Sequence, residues 1–149
     1  MAVLCDWEIR ARAEGSQMVV PFNPEDLLRV DISGKTEDDP YKLLPGHFCL
    51  AETLEFFNLS DDLCSTFLLK SSRAREGYDH AAAGFADPGW HGSKLTMELK
   101  NNRRHHSLPL YPGMKIGQMI FHQMSNVPVH SYRETGNYNN HATVMPSVA

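Results

Sequence analysis

The sequence predicts an all-β domain, a sandwich or a barrel, with one short helix near its N-terminus. Beyond Gly15 the apolar residues are clustered or alternate with polar ones, which is typical of β-strands. Pairs of Pro, Gly, Asn and Asp, which favour turns, separate these apolar runs at short intervals. With 149 residues the chain has room for one hydrophobic core, so we expect a single domain over residues 1–149.

The elements follow from the local pattern. A helix is predicted within Leu4–Glu14, because Asp6 can cap its first turn and Gly15 suits its C-terminal end. The apolar runs that follow predict strands at residues 18–20, 30–32, 47–50, 65–69, 94–99, 108–110 and 115–122. Turns are predicted between the early strands at Asn23-Pro24, Asp39-Pro40 and Pro45-Gly46.

Two stretches predict irregular structure. Asn101–Ser107 is polar and basic, the composition of a hairpin tip. From Val127 onward the regular apolar pattern disappears, while Tyr, Asn, Ser and Gly become frequent. We therefore expect residues 127–149 to form an extended C-terminal arm that orders over a ligand.

The composition limits the classes of partner and compartment. A net charge of −4 argues against a broad electrostatic interaction with nucleic acid. No run approaches the roughly 20 apolar residues that a membrane span needs, and the N-terminus lacks a signal-peptide pattern. The three scattered cysteines, Cys5, Cys49 and Cys64, are expected to be free thiols in a reducing compartment. We expect a cytoplasmic protein without nucleic-acid or membrane partners.

The first segment whose side chains are suited to binding or catalysis is residues 70–75, which directly follow a predicted strand. It contains two hydroxyls, on Ser71 and Ser72, flanked by the cations of Lys70, Arg73 and Arg75. Short hydroxyl donors beside fixed positive charge are suited to holding phosphate oxygens. Ordinary surface turns have the same composition, so the segment alone leaves both interpretations open.

Two further segments could form a pocket. Residues 80–92 are rich in small side chains, which would let the backbone approach a ligand and read the edge of a base. The Asp-Pro-Gly within them is also an ordinary turn. Along residues 95–99 the apolar side chains share one strand face, which puts Thr96 and Glu98 on the other. Glu98 is either a solvated surface carboxylate or, if its face lines a pocket, a candidate general base.

Taken together, these segments resemble the metal-independent dCTP deaminase/dUTPase family, and most closely its bifunctional dCTP deaminase/dUTPase members. The resemblance runs almost end to end. The segments that carry it are residues 4–9, 14–15, 30–32, 44–51, 70–72, 83–85, 87–89, 97–99 and 112–118. It implies a distorted jelly-roll-like β-barrel that assembles as a homotrimer, with each active site lying between neighbouring subunits.

The resemblance also assigns catalytic roles. Glu98 falls on the family's catalytic glutamate, which accepts a proton from the water that attacks C4 of cytosine and passes protons to N3 and to the departing ammonia. Ser71 and Arg75 match residues that position this water and the glutamate. Asp87 matches the aspartate that contacts deoxyribose, which in the related dUTPases activates water for attack on phosphate.

The same resemblance implies a set of substrate contacts and a cofactor. The substrate contacts are Lys70, Ser72, Ala83, Gly84, Phe85, Gln118, Tyr132 and Tyr138. Lys70, Ser72 and Gln118 would hold phosphates, and the two tyrosines would close over the nucleotide. Mg²⁺ would be bound through the nucleotide phosphates and by no protein ligand. Zinc is not expected, because the Cys-x-x-Cys pair of zinc-dependent deaminases is absent.

The departures from the family pattern lie where substrate is held. The chain is shorter than cellular members, chiefly between Asn23 and Leu43, which suggests a compact, phage-encoded version. Ala82 replaces a usual threonine, Asn137 an expected lysine and His141 an expected glutamine.

Three functions therefore stay open. The first is deamination of dCTP to dUTP on Glu98, with onward release of dUMP and diphosphate. The second is a dUTP diphosphatase that uses Asp87, and the third is a non-catalytic trimer that binds or sequesters a nucleotide.

Overall fold

The secondary structure is dominated by strands, as predicted. A computed structural model describes residues 2–23 and 28–148. The strands are β1 (Ala2–Val3), β2 (Val19–Val20), β3 (Leu28–Asp31), β4 (Tyr41–Leu43), β5 (Phe48–Asn58), β6 (Leu63–Leu69), β7 (Tyr78–His80), β8 (Phe85–Ala86), β9 (His91–Asn101), β10 (Leu108–Leu110) and β11 (Lys115–Gln123). The helices are α1 (Asp6–Ser16), α2 (Ser71–Glu76) and α3 (Tyr132–Thr135). None of the helices in this described part of the chain has the length and apolar character that crossing a membrane requires.

One large antiparallel sheet makes up most of the fold. Its strand order is β7-β9-β5-β3-β11-β6-β8, with β1 paired to β11 and β2 paired to β5. Strands β4 and β10 form a separate two-stranded ribbon. The sheet curls around one hydrophobic core, which confirms the predicted all-β, barrel-like class.

The core is built from alternate residues of the long strands. On β9, Leu95, Met97 and Leu99 are buried, as predicted, and leave Thr96 and Glu98 on the opposite face. The most deeply buried large side chains elsewhere are Met18, Val30, Leu43, Phe57, Leu59, Leu63, Leu110, Met114 and Ile116. Because side chains alternate between faces, burial of one face of β9 fixes which residues it presents on the other.

Helix α1 begins and ends differently from the prediction. Its N-cap is Cys5 and not Asp6, because the Glu8 carboxylate reaches back to accept the Cys5 backbone N–H at 2.8 Å. The helix continues through Gly15, and the left-handed residue that ends it is Gln17, with φ 54°. The Ser16 hydroxyl donates to the Arg12 carbonyl at 2.6 Å, which supports this extra turn.

Several elements were not predicted from the sequence. These are β1, α2, β4, β7, β8, α3 and the part of β5 beyond residue 50. On β5 the inward positions Thr53 and Glu55 are polar, which hides the alternation. Thr53 is satisfied by the Leu95 N–H at 3.0 Å, and Glu55 by the Arg29 guanidinium at 2.9 Å.

The predicted hairpin tip at Asn101–Ser107 is wrong in two respects. Asn101 is buried at the end of β9, and the exposed residues 102–107 lead to β10, which pairs with β4 and not with β9. The predicted turn at Asn23-Pro24 includes Pro24, which lies outside the described residues. All three cysteines are free, and burial raises the pKa of the Cys49 thiol to about 11.

Asn101 provides a test of how the end of β9 is held. Its fully buried amide donates to the Leu43 and His106 carbonyls, each at 2.8 Å, and accepts from the Arg103 N–H at 2.8 Å. Asn101→Ala should lower the free energy of unfolding by about 2–4 kcal/mol, because it leaves buried backbone groups without partners. Urea unfolding at pH 7 measures the change. The matched control is Asn102→Ala, whose amide bonds Asp79 at the surface; equal losses in the two variants would contradict this assignment.

Candidate active site

Glu98 lies on the exposed face of β9, but its carboxylate is partly enclosed. The side chain is 26 % exposed, and its Oε2 atom is buried without a hydrogen bond from any described residue. Burial is the largest influence on this group and raises the pKa of the Glu98 carboxyl above its ordinary value. A carboxylate with a raised pKa is a stronger base than an ordinary one, which is a property that a general base needs.

The ring of His80 lies against this carboxylate. Its Nε2 atom is 3.2 Å from Glu98 Oε2, although the two are not aligned as a hydrogen bond, and the imidazole is 8 % exposed. In the sequence, His80 is the first residue of the small-residue segment, and no role is predicted for it. No spacing in the sequence could have revealed the contact, because it depends on the pairing of β7 with β9, in which His80 lies opposite Leu99.

The small-residue loop that follows His80 runs next to Glu98. The Ala81 N–H donates to the Glu98 backbone carbonyl at 3.1 Å, and the Ala83 N–H donates to the Ala81 carbonyl at 2.5 Å. Gly84 accepts the Phe67 N–H at 2.7 Å, and a Cβ atom at Gly84 would lie 2.8 Å from the Phe67 carbonyl oxygen. This close approach of backbone fixes the loop on β6, whereas the approach of the same backbone to a ligand stays a prediction.

The segment of hydroxyl and cationic side chains, residues 70–75, forms the N-cap and most of α2. Ser71 and Arg75 are exposed, and among the described residues no hydrogen bond or ion pair joins either of them to Glu98. Lys70 is the N-cap of α2, and its N–H donates to the Ile116 carbonyl of β11 at 2.9 Å. Gln118 lies opposite Leu68 on the same strand pair, so the structure brings Lys70 and Gln118 to neighbouring positions.

Asp87 lies at the start of a tight turn that receives the C-terminal arm. The Trp90 N–H donates to the Asp87 carbonyl at 3.1 Å, and burial raises the pKa of the Asp87 carboxyl. The Tyr132 N–H donates to the Pro88 carbonyl at 3.1 Å. Burial and then the nearby Asp87 charge are among the factors that raise the pKa of the Tyr132 hydroxyl. Asp87 and Tyr132 are therefore neighbours within one chain.

The arm continues along β9 toward Glu98. The Tyr138 carbonyl accepts from the Trp90 indole at 2.9 Å and from the Ser93 hydroxyl at 2.8 Å. Further along, the Met145 N–H donates to the Thr96 hydroxyl at 3.3 Å. Thr96 and Glu98 share a strand face, so this hydrogen bond brings the arm to the neighbour of Glu98 on that face.

A charged cluster holds the end of the arm. Lys94 lies 2.5 Å from Asp31 and 3.1 Å from Glu52, and only 10 % of its side chain is exposed. The second Glu52 oxygen accepts the Val144 N–H at 2.5 Å. A carboxylate that already pairs with a lysine thus also fixes the backbone of the arm.

A cavity of about 580 Å³ lies between α1 and the sheet, with Trp7, Leu28 and Phe121 among its walls. Glu98 does not line it. Gln118 is the one proposed site residue that lines it. In the described ranges 2–23 and 28–148, no group of three or more His, Cys, Asp or Glu is gathered to hold a metal ion.

Gly89 provides a test of how the arm docks. It has a φ of +86°, and a Cβ atom there would collide with the Ser131 hydroxyl, which itself bonds Asp61. Gly89→Ala should release the arm and speed tryptic cleavage at Arg133 by about tenfold or more, since local opening controls proteolysis. Gly113→Ala is the matched control, because Gly113 has a φ of +80° and open space around it. Equal cleavage rates in the two variants would show that backbone strain, not the collision, is responsible.

The enclosure of Glu98 predicts a pH-dependent stability difference. Because its folded-state pKa is raised, ionised Glu98 destabilises the fold as the pH rises through that value, and this penalty is absent below the unfolded pKa of about 4.3. Glu98→Gln should therefore be more stable than wild type at pH 8, by about 1.4 kcal/mol for each unit of pKa elevation, with a smaller difference at pH 4. Urea unfolding across this range measures it, with the exposed Glu134→Gln as control. A difference that does not grow with pH would exclude a raised pKa at Glu98.

Known proteins share both the sequence and the fold. The family model described as dCTP deaminase-like matches residues 16–124. A dCTP deaminase, dUMP-forming, of Mycobacterium ulcerans (strain Agy99) is 43 % identical over 104 residues, which cover 68 % of this chain and 53 % of that protein. The corresponding protein of Nocardioides sp. (strain ATCC BAA-499 / JS614) is 46 % identical over 98 residues, covering 64 % of this chain and 49 % of its own length. The chain thus spans about half the length of these curated relatives.

Solved structures support the same fold. The 2'-deoxycytidine 5'-triphosphate deaminase of Agrobacterium tumefaciens matches with a TM-score of 0.69 and 17 % identity, over 85 % of this chain and 50 % of that one. A native EIAV dUTPase matches with a TM-score of 0.53 and 18 % identity, over 76 % of this chain and 88 % of its own. At these identities the structures bear on the fold alone. The family match, together with the relatives, confirms the resemblance drawn from the sequence: the chain belongs to the dCTP deaminase-like family.

Proposed function

We propose that this protein hydrolytically deaminates a cytosine deoxynucleotide, converting dCTP to dUTP, with Glu98 as the general base. The observation that carries the proposal is the partly buried Glu98 carboxyl with its raised pKa, next to a backbone loop of small residues. The names of the relatives, which are dUMP-forming dCTP deaminases, support the same substrate.

The chemistry at Glu98 would proceed in two proton transfers. The ionised carboxylate takes a proton from water while the water oxygen attacks C4 of the cytosine ring, and this proton passes to N3. The second proton, from the new hydroxyl at C4, moves through Glu98 to the amino group, which leaves as ammonia and yields a uracil ring. The backbone of residues 81–84, which runs next to Glu98, would read the edge of the base.

Ser71 and Arg75 would act across a subunit boundary. Both are exposed in the single chain, and neither contacts its own Glu98. In a homotrimer with sites between subunits, α2 of one subunit would bring its Ser71 and Arg75 to the Glu98 of a neighbour. There the Arg75 guanidinium would favour the ionised carboxylate, and the Ser71 hydroxyl would orient the water.

Asp87 supports a second step, release of diphosphate to give dUMP. It lies beside Tyr132 and close to the docked arm, where Asp87 would contact deoxyribose and activate water for attack on phosphate. Residues 127–149 would act as the arm that covers the nucleotide. Tyr138 within this arm and the exposed Phe85 would border the nucleotide. The altered Asn137 and His141 positions lie in this arm.

The phosphates would be held by donors and not by acidic residues. Lys70, Ser72 and Gln118 offer ammonium, hydroxyl and amide N–H groups, which fit phosphate oxygens. This donor set fits a nucleotide that carries its own Mg²⁺, and the ion would supply neutralisation of phosphate charge when bound. The protein residues would position the chain of phosphates and exclude water.

Substitutions at the two carboxylates separate the two steps. Glu98→Gln should lower ammonia release from dCTP by about 10²–10⁴-fold, because it removes the general base, and leave diphosphate release from dUTP largely intact. Asp87→Asn should lower diphosphate release from dUTP and leave ammonia release from dCTP largely intact. Purified protein with Mg²⁺ and dCTP, dCMP or dUTP is assayed for ammonia and diphosphate separately.

Glu14→Gln, in an exposed part of α1, is the matched control and should retain both activities. Diphosphate from dUTP without ammonia from any cytosine nucleotide would replace the deaminase with a dUTP diphosphatase. Tight binding of these nucleotides without either product would favour a non-catalytic sequestering protein.

A further inference from the structure

The imidazole of His80 lies beside Glu98 and has no part in the proposed function. Leu50 lies directly opposite Glu98 on β5 and offers no hydrogen-bonding group. Thr96, on the same face of β9, already accepts the Met145 N–H. Within the part of the chain that the structure describes, His80 is the side chain that meets the carboxylate, at 3.2 Å between Nε2 and Oε2.

Both atoms of this contact are buried and otherwise unpaired. His80 Nε2 and Glu98 Oε2 each lack a hydrogen bond from any described residue, although buried polar atoms in folded proteins almost always have one. The imidazole is held in place from its other side, since its centroid lies 4.8 Å from that of the Phe67 ring. A small rotation of either side chain would complete a hydrogen bond, and catalytic contacts often tighten only when substrate binds.

Charged groups lie on the elements next to His80. Asp79 accepts the His80 backbone N–H at 2.9 Å with one oxygen and the Asn102 amide with the other. Lys100 of β9 lies opposite Asp79 in the strand pair, and on α2 Arg73 pairs with Glu76. From β6, the uncharged Phe67 packs against the ring.

We propose that His80 is a positioning residue for Glu98: its Nε2–H holds Oε2 of the ionised carboxylate, so that Oε1 faces the reacting water. This inference rests on the proposed function of Glu98 as the base. A donated N–H favours the charged carboxylate and so opposes the effect of burial, which disfavours it. His80 thereby keeps Glu98 ionised at neutral pH and fixes the oxygen that takes the proton, without itself touching the substrate.

The contact can be tested without any activity. The full-length protein is labelled with ¹⁵N-histidine, and the ring nitrogens of His80 are followed by NMR from pH 5 to 9 in wild type, Glu98→Gln and Glu134→Gln. Loss of the neighbouring negative charge should lower the pKa of His80 by about one unit or more in Glu98→Gln. The exposed Glu134→Gln is the control and should leave it unchanged. A shift in Glu98→Gln no larger than in this control overturns the proposal.

The effect on catalysis is tested by paired variants of His80. His80→Gln keeps an N–H donor near the position of Nε2, whereas His80→Leu has similar bulk and no donor. In His80→Leu the acidic limb of the kcat/KM profile for ammonia release should move up by about one pH unit, with KM changed less than about threefold. His80→Gln should restore most of this shift. Equal limbs in the two variants, or a limb that does not move in His80→Leu, overturns the proposal.

The NMR titration and the kinetic experiment keep the inference separate from the proposed function. If wild-type protein releases no ammonia from any cytosine nucleotide, the proposed function fails, while the NMR titration still decides whether His80 and Glu98 are coupled. If ammonia is released but the His80 titration ignores Glu98→Gln, the proposed function stands and the positioning role of His80 is excluded. Thermal unfolding of each variant confirms that it is folded before it is compared.

Discussion

The antiparallel pairing of β5 with β9 is the constraint on which the rest of the structure depends. It buries Met97 and Leu99 on one side and, because side chains alternate, turns Glu98 to the other. A shift of this register by one residue would bury the carboxylate in the core and expose the apolar residues. The same strand β9 also pairs with β7, which delivers His80, and supports the arm. The packing of the core and the placement of Glu98 therefore have a single origin.

The candidate site is built largely by backbone. Main-chain groups hold the loop that follows His80, the turn after Asp87 and the path of the arm. This is why glycine is needed at Gly84 and Gly89, where any side chain would meet the neighbouring segment. Such a site tolerates many changes on its surface and few at the positions where two backbones touch. The side chains of Ser71 and Arg75, by contrast, are exposed.

Titratable groups at the candidate site are held in surroundings that disfavour their charged forms. Burial raises the pKa values of both Glu98 and Asp87, and the imidazole that faces Glu98 has its pKa lowered by burial. Each of these groups is less stable in its charged form than it would be in water. Away from this region the buried charges are paired, as Glu55 is with Arg29 and Lys94 is with Glu52. Perturbed carboxyl groups next to unpaired polar atoms are typical of functional sites.

The sequence by itself determined the all-β class, most strand positions, the faces of β9 and, through its resemblance to a family, the candidate residues from Lys70 to Tyr138. These follow from local periodicity and from short motifs, which need no knowledge of distant contacts. It did not reveal the full length of β5, because Thr53 and Glu55 are polar at buried positions and are satisfied by residues far along the chain. Nor did it show His80 beside Glu98 or the course of the arm toward Thr96. Only the tertiary structure decided these, because strand register and long-range hydrogen bonds are set by the packing of the whole sheet and not by neighbours in sequence.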